Sequence, residues 1–141
     1  MSLRLEYGEN YLEVFDFCFY REDAKRGIPV NITFSLAVQS CGFRGVAPCE
    51  YDIEALKRFS SGLHKLYNFE IERVFLEDQG YGSRVLFFMK RTGRMEVSGN
   101  IHGYGRVHSL DFCFEADQTV LKSFLDGLDE LICNENADAI I

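Results

Sequence analysis

No stretch of this sequence is apolar for long enough to span a bilayer, and its first ten residues, MSLRLEYGEN, lack the apolar segment of a secretory signal. A soluble cytoplasmic protein is therefore expected, with no membrane association. The five cysteines, Cys18, Cys41, Cys49, Cys113 and Cys133, contain no CxxC pair, which removes the zinc-knuckle and thioredoxin-like readings. There is no GxSxG nucleophile elbow and no GxxxxGK followed by Ser or Thr, so neither a hydrolase serine nor a phosphate-cradling loop is signalled. Histidine is scarce. His64 falls on a helical stretch, and His102 and His108 lie six apart across a turn, so no three ligands share a spacing suited to a metal. No enzyme activity, metal or cofactor is expected on these grounds.

What is present begins with a core. The chain has 141 residues, the size of one ordinary domain, and 13 of them are phenylalanine, so a packed interior needs no staples. Residues 1–141 are read as a single domain, without repeat, linker or low-complexity run. Cys18 and Cys113 each sit between phenylalanines, in FDFCFY and DFCFEA, where a thiol behaves as a small buried hydrophobe. Reduced structural thiols are expected throughout. Cys41 and Cys49, which flank one loop, are the best pair should a disulfide form. The net charge of −7 is uneven: residues 111–141 carry eight acids against one base, Lys122, whereas residues 21–110 carry ten acids against thirteen bases. An acidic sector repels nucleic acid and attracts basic partners. The plainer reading of acidic ends is solubility.

The hydrophobic pattern alternates between period 2 and period 3.6. In VNITFSLAV, Ile32, Phe34, Leu36 and Val38 share one face and polar residues the other, the mark of an antiparallel sheet covered on one side. YLEVFDFCFY is a second strand with Phe15, Phe17 and Phe19 on one face. Leu12 and Val14 are out of phase with them, which predicts a bulge near Val14. GFRGVAP, with two glycines and Pro48, is read as breaking the sheet. A helix is predicted over 52–67, with Asp52 as N-cap, Ile53, Leu56, Phe59, Leu63 and Leu66 on its apolar stripe, and Glu54 spaced to pair with Arg58. FEIERVFLE and SRVLFFMKR form a hairpin through DQGYG, and RTGR makes a second turn. HSLDFCFEA is the last strand, with Leu110, Phe112 and Phe114 inward. A final helix begins at Asp117 and buries Leu121, Phe124, Leu125, Leu128 and Leu131. The expected class is α+β: a single antiparallel sheet, a meander, with two helices packed on one face.

The stretch EVSGNIHGYGRVHSL, residues 96–110, packs three glycines and two histidines into fifteen positions. Read with period 2, Met95, Val97, Gly99, Ile101 and Gly103 share one face, and Glu96, Ser98, Asn100, His102 and Tyr104 the other. That is a strand with glycine on its packed side, where a bulge or the close approach of another backbone, such as a helix, calls for glycine.

The block from CGFRG through DIEALKRFSSGLHKLY and TGRMEVSGNI to LDFCFEADQTVLKSFLDGLDEL, about residues 30–132, resembles the WapI-like family of bacterial immunity proteins. Its strongest part is the aromatic-alternating strand that runs into Asp117, Gln118 and Thr119, followed by Leu121 and Phe124. Residues 1–29 and the acidic tail 133–141 fall outside it, as partner-specific variation would allow. The resemblance implies a cytoplasmic protein that binds and neutralises a cognate toxin domain, a nuclease being one possibility for a basic partner. It carries no functional residue over. The alternative is a small-molecule-binding or structural α+β domain with no toxin partner. The last helix turns Asp126, Asp129 and Glu130 outward, with Glu135 and Asp138 beyond. Acids near a helix C-terminus oppose its dipole, so a docking role for these five residues is the functional reading and solubility the plain one.

Overall fold

The computed structural model describes residues 3–134. It is α+β, with two antiparallel sheets of four strands in place of the one expected. The first sheet is built from β1 (Leu3–Tyr7), β2 (Asn10–Phe19), β3 (Ile32–Ser40) and β4 (Phe43–Tyr51), with a short helix α1 (Arg21–Lys25) between β2 and β3. Helix α2 (Ile53–Tyr67) leads to the second sheet, β5 (Arg73–Glu77), β6 (Arg84–Met89), β7 (Arg94–His102) and β8 (Ser109–Asp117), and α3 (Gln118–Cys133) follows. Strand order follows chain order in both sheets, so each is a meander.

The single-sheet expectation fails at GFRGVAP, which continues as β4 instead of breaking off. Proline is tolerated in a strand where its missing N–H would point away from the partner. Pro48 lies opposite Ser35 on the side of β4 facing away from β3. Antiparallel strands alternate which residues bond to the neighbour. The amide and carbonyl of Glu50 are both used outside the sheet, by Asp78 Oδ1 (2.7 Å) and Gln79 N (2.9 Å), so Pro48, Val46 and Arg44 face outward with it. Gly45 then sits on the packed face, where a Cβ would press on Leu110 and Ile101 at 3.2–3.3 Å. That contact is where the two sheets meet. β4 therefore ends the first sheet, and α2 carries the chain to a fresh start.

Alternation selects the core. Phe34, Leu36, Phe59, Leu63, Phe112, Phe114, Phe124 and Leu128 are all buried. Phe87 on β6 packs between Phe59 of α2 (ring centres 5.6 Å apart) and Phe124 of α3 (6.3 Å), so both long helices cover the inner face of the second sheet. Leu5, Leu12, Val14 and Phe17, from the first 29 residues, join the same cluster. The register of β2 shifts between Phe15 and Cys18, with Asp16 at φ 52. The bulge thus lies just beyond Val14. It turns Leu12, Val14 and Phe17 inward together and leaves Phe15 out of phase with Phe17. At Gly99 a Cβ would overlap the carbonyl oxygen of Arg84, so the close neighbour is strand β6, not a helix. Asp117 caps α3, accepting from Thr119 N at 3.0 Å. Asp52 does not cap α2 through its side chain. Buried Asn31 does so instead, accepting from Ile53 N (2.8 Å) while its amide donates to Asp52 Oδ1 (2.8 Å) and the Ile28 carbonyl (3.1 Å). Glu54 meets Lys57 at 3.6 Å.

Candidate protein-interaction site

The acids expected to dock a partner do not form one free face. Asp126 is exposed and meets Lys122 one turn earlier at 2.7 Å. That contact raises the lysine pKa, first through the hydrogen bond and then through the charge. Asp129 is turned toward α2: its carboxylate accepts from Ser60 Oγ (2.6 Å) and meets His64 Nε2 (2.7 Å). It therefore ties the two long helices together. Glu130 is exposed on α3. Glu135 and Asp138 lie outside the described residues.

The histidines do not converge, since His64 belongs to that helix–helix tie while His102 and His108 flank the β7–β8 turn, and among the described residues no three His, Cys, Asp or Glu side chains gather to hold a metal. All five cysteines are free thiols. Cys41 and Cys49 cannot pair, because β4 lies between them and a strand rise of about 3.3 Å per residue holds them roughly 20 Å apart. Cys49 is buried, and burial pushes its thiol far up, which leaves it neutral and unreactive. Of the bases Lys90, Arg91 and Arg94 around the β6–β7 turn, the last is bound to Glu115, which raises its pKa through the hydrogen bond and the charge. Among the described residues no helix is long and apolar enough to cross a membrane.

A different constellation stands out at the outer edge of β4, where three sequence-distant segments converge. The first is β4 itself, with Arg44 and Val46 presenting backbone groups outward. The second is the β5–β6 turn, organised by Asp78. Its carboxylate accepts from Gly80 N (3.1 Å), Tyr81 N (2.8 Å) and Glu50 N, so one side chain shapes the turn and staples it to β4. The third is the β7–β8 turn, closed by Gly103 N to His108 O (2.9 Å), with Gly105 at φ 68 and Arg106 at φ 58. A non-glycine residue in the left-handed region is held there by its surroundings. Here the Arg106 guanidinium lies against Gly82 of the β5–β6 turn. Tyr81 and Tyr104 join the two turns edge to face, with ring centres 5.6 Å apart.

Along this strip large apolar side chains meet solvent: Val107 is 79% exposed, Tyr104 74%, Phe43 69% and Val46 45%. Two shallow hollows flank it. One, of about 180 Å³, is lined by Arg44, Val46, Ile101, His108 and Leu110. The other, of about 170 Å³, is lined by Asp16, Pro48, Glu50, Tyr81 and Tyr104. Each is smaller than the roughly 300–1,000 Å³ typical of small-molecule sites and is of a size for a single side chain. Arg44 is braced on the outer face, its Nε donating to Tyr11 Oη at 3.0 Å, and that bond holds its pKa up. Sequence reasoning ranked residues 42–50 behind the acidic helix as a docking candidate but took them for a loop, so it missed this strip as a strand edge. Its signals were Pro48, an Asp heading a Gly-rich turn, and a glycine opposite Val38, each meaningful only once β4 is known to be an edge.

No protein-family model matches the chain, and no curated protein sequence does.

Proposed function

We propose that this chain is an immunity-type binding protein that neutralises a cognate toxin domain by protein–protein contact. The observation that carries the reading is the exposed apolar strip at the β4 edge, set on well-packed strands and bordered by charged side chains. Contiguous exposed apolar surface rimmed by polar groups marks interaction sites, with aromatic and arginine side chains as the usual anchors. The similarity of residues 30–132 to the WapI-like immunity family supports the same reading and supplies the partner class. The net charge of −7 adds long-range attraction for a basic toxin domain, which raises the association rate more than the affinity. Residues Asp126 and Glu130 on α3 contribute to that field, and Asp129 is committed to holding α2.

The test is co-expression with basic toxin domains from the same genome, those of neighbouring genes first. Restored growth and a stoichiometric complex after purification are expected. Continued killing, with no complex by size-exclusion chromatography, would overturn the proposal.

A further inference from the structure

We infer that the β4 edge receives an extended segment of the partner as a fifth strand of the first sheet, carrying a carboxylate near Arg44 and a cationic side chain near Glu50. The inference rests on the binding reading above and names its docking surface.

The backbone defines the mode of recognition. Among the described residues the outward amides and carbonyls of Arg44 and Val46 have no partner, whereas Glu50 is closed off by Asp78 and Gln79. Pro48 adds a carbonyl and no donor. The open edge thus spans about five residues, offers donors at two alternate positions, and stops where the β5–β6 turn begins. An edge with unpaired groups is a template for strand addition, in which main-chain bonds supply affinity and alternate side-chain pockets supply specificity.

Charge defines the occupant. The hollow at one end contains Arg44 and His108 and no acid. The hollow at the other contains Asp16 and Glu50 with Tyr81 and Tyr104, a setting for a guanidinium or ammonium that pairs with carboxylates and lies against aromatic rings. Between them Val46 offers an apolar position. A second copy of this chain fits poorly. Symmetric pairing of two β4 edges through Arg44 and Val46 sets the two arginines diagonally on one sheet face, where like charges repel. An acid on a foreign strand turns that repulsion into attraction. Arg44, whose charge also feels Glu13 on β2, gives this end of the edge a cationic side chain that the net charge of −7 does not reveal.

The probes are two fluorescent pentapeptides with blocked ends, Glu-Val-Thr-Val-Arg and its reverse, Arg-Val-Thr-Val-Glu, because strand direction is open. One order is expected to bind more tightly and to slow hydrogen exchange at the Arg44 and Val46 amides. Its affinity should fall about tenfold in Val46→Pro, which removes an edge donor, and by a similar factor in Arg44→Glu. N-methylation of the three central peptide residues, which removes the donors facing β4 in either strand direction, should abolish binding to the unaltered protein and keeps the test independent of how the variants fold. Failure of both orders to bind at millimolar concentration, binding without protection of those two amides, or equal binding by uniformly acidic or uniformly basic peptides would each overturn the inference. Concentration-dependent dimerisation through β4 would overturn it in favour of a second copy. The co-expression test is separate: rescue of growth alongside failed peptide binding sinks this edge and leaves the immunity reading standing.

Discussion

Replacing Asn31 by alanine tests how α2 is started. The helix follows Asp52, a residue type that commonly caps through its own side chain. Asp52 is extended at φ −105 but accepts nothing from the helix amides. Asn31 instead reaches across from the start of β3. Its oxygen takes the buried Ile53 N–H and its amide serves Asp52 and the Ile28 carbonyl. Asn31→Ala strands the Ile53 amide, at roughly 1–3 kcal/mol for an unsatisfied buried donor, and removes two further bonds at about 1 kcal/mol or less each, since Asp52 can turn to water. A loss of about 2–4 kcal/mol follows. Asp52→Ala breaks only the bond from Asn31 and should cost about 1 kcal/mol. Urea unfolding of both single variants and the double variant gives the two losses and their coupling, which should be near 1 kcal/mol because the residues touch. A loss for Asp52→Ala equal to or greater than that for Asn31→Ala would show that Asp52 is the working cap after all.

Three further outcomes are expected. Phe112→Ala should cost about 3–5 kcal/mol, and Phe87→Ala should sit at the top of that range or above it, because Phe87 is wholly buried between Phe59 and Phe124 while Phe112 lies nearer the surface; equal thermal shifts would argue against the packing given to Phe87. Asp129→Ala should destabilise by about 1–2 kcal/mol through the Ser60 hydroxyl it leaves unpaired, with little from the half-exposed His64 pair, while Glu130→Ala should be near neutral by urea titration. Asp117→Asn should lower stability at neutral pH. The Thr119 hydroxyl, then the Thr119 amide, hold the Asp117 carboxyl below its usual range, so its contribution is present above the unfolded pKa of about 4 and lost as pH falls through the folded value; the gap between wild type and variant should hold from pH 7 to pH 5 and shrink by pH 3, and a gap that widens on acidification would contradict the assignment.

The core was legible because side-chain period is a local property. Ile32, Phe34, Leu36 and Val38 alternate in sequence, and a strand turns alternate residues to one side whichever strand it pairs with. Helix stripes such as Leu56, Phe59 and Leu63 are equally local. The division into two sheets was not, since whether β4 pairs with β5 depends on a residue's outward-facing amide and on the helix between them. Proline and two glycines in GFRGVAP read as a break for a sound reason, which is that a central strand cannot accept them; an edge strand can, and being an edge is decided by the rest of the fold. One residue of the acidic helix face, Asp129, was hidden from sequence reading in a similar way. Helical spacing turns Asp129 away from the α3 core residues but cannot reveal that α2 brings Ser60 and His64 to meet it.

Edges of antiparallel sheets invite pairing, and folded proteins protect them with covering elements, prolines, charges or short lengths. Here α3 packs over β1 and α2 over β5, so two of the terminal strands lie under helices. β4 carries protection at one end only, where Pro48 withholds a donor and the Asp78-ordered turn consumes the Glu50 groups. The segment from Arg44 to Val46 has a charge but no cover, and Val46 itself is 45% exposed. The charge opposes self-pairing without closing the edge to a strand that brings a carboxylate. A surface selected for solubility alone would not leave a solvent-facing valine on unpaired backbone while the rest of the edge is closed. The combination is that of a receptor for one kind of strand, held ready by turns whose own hydrogen bonds are satisfied before any partner arrives.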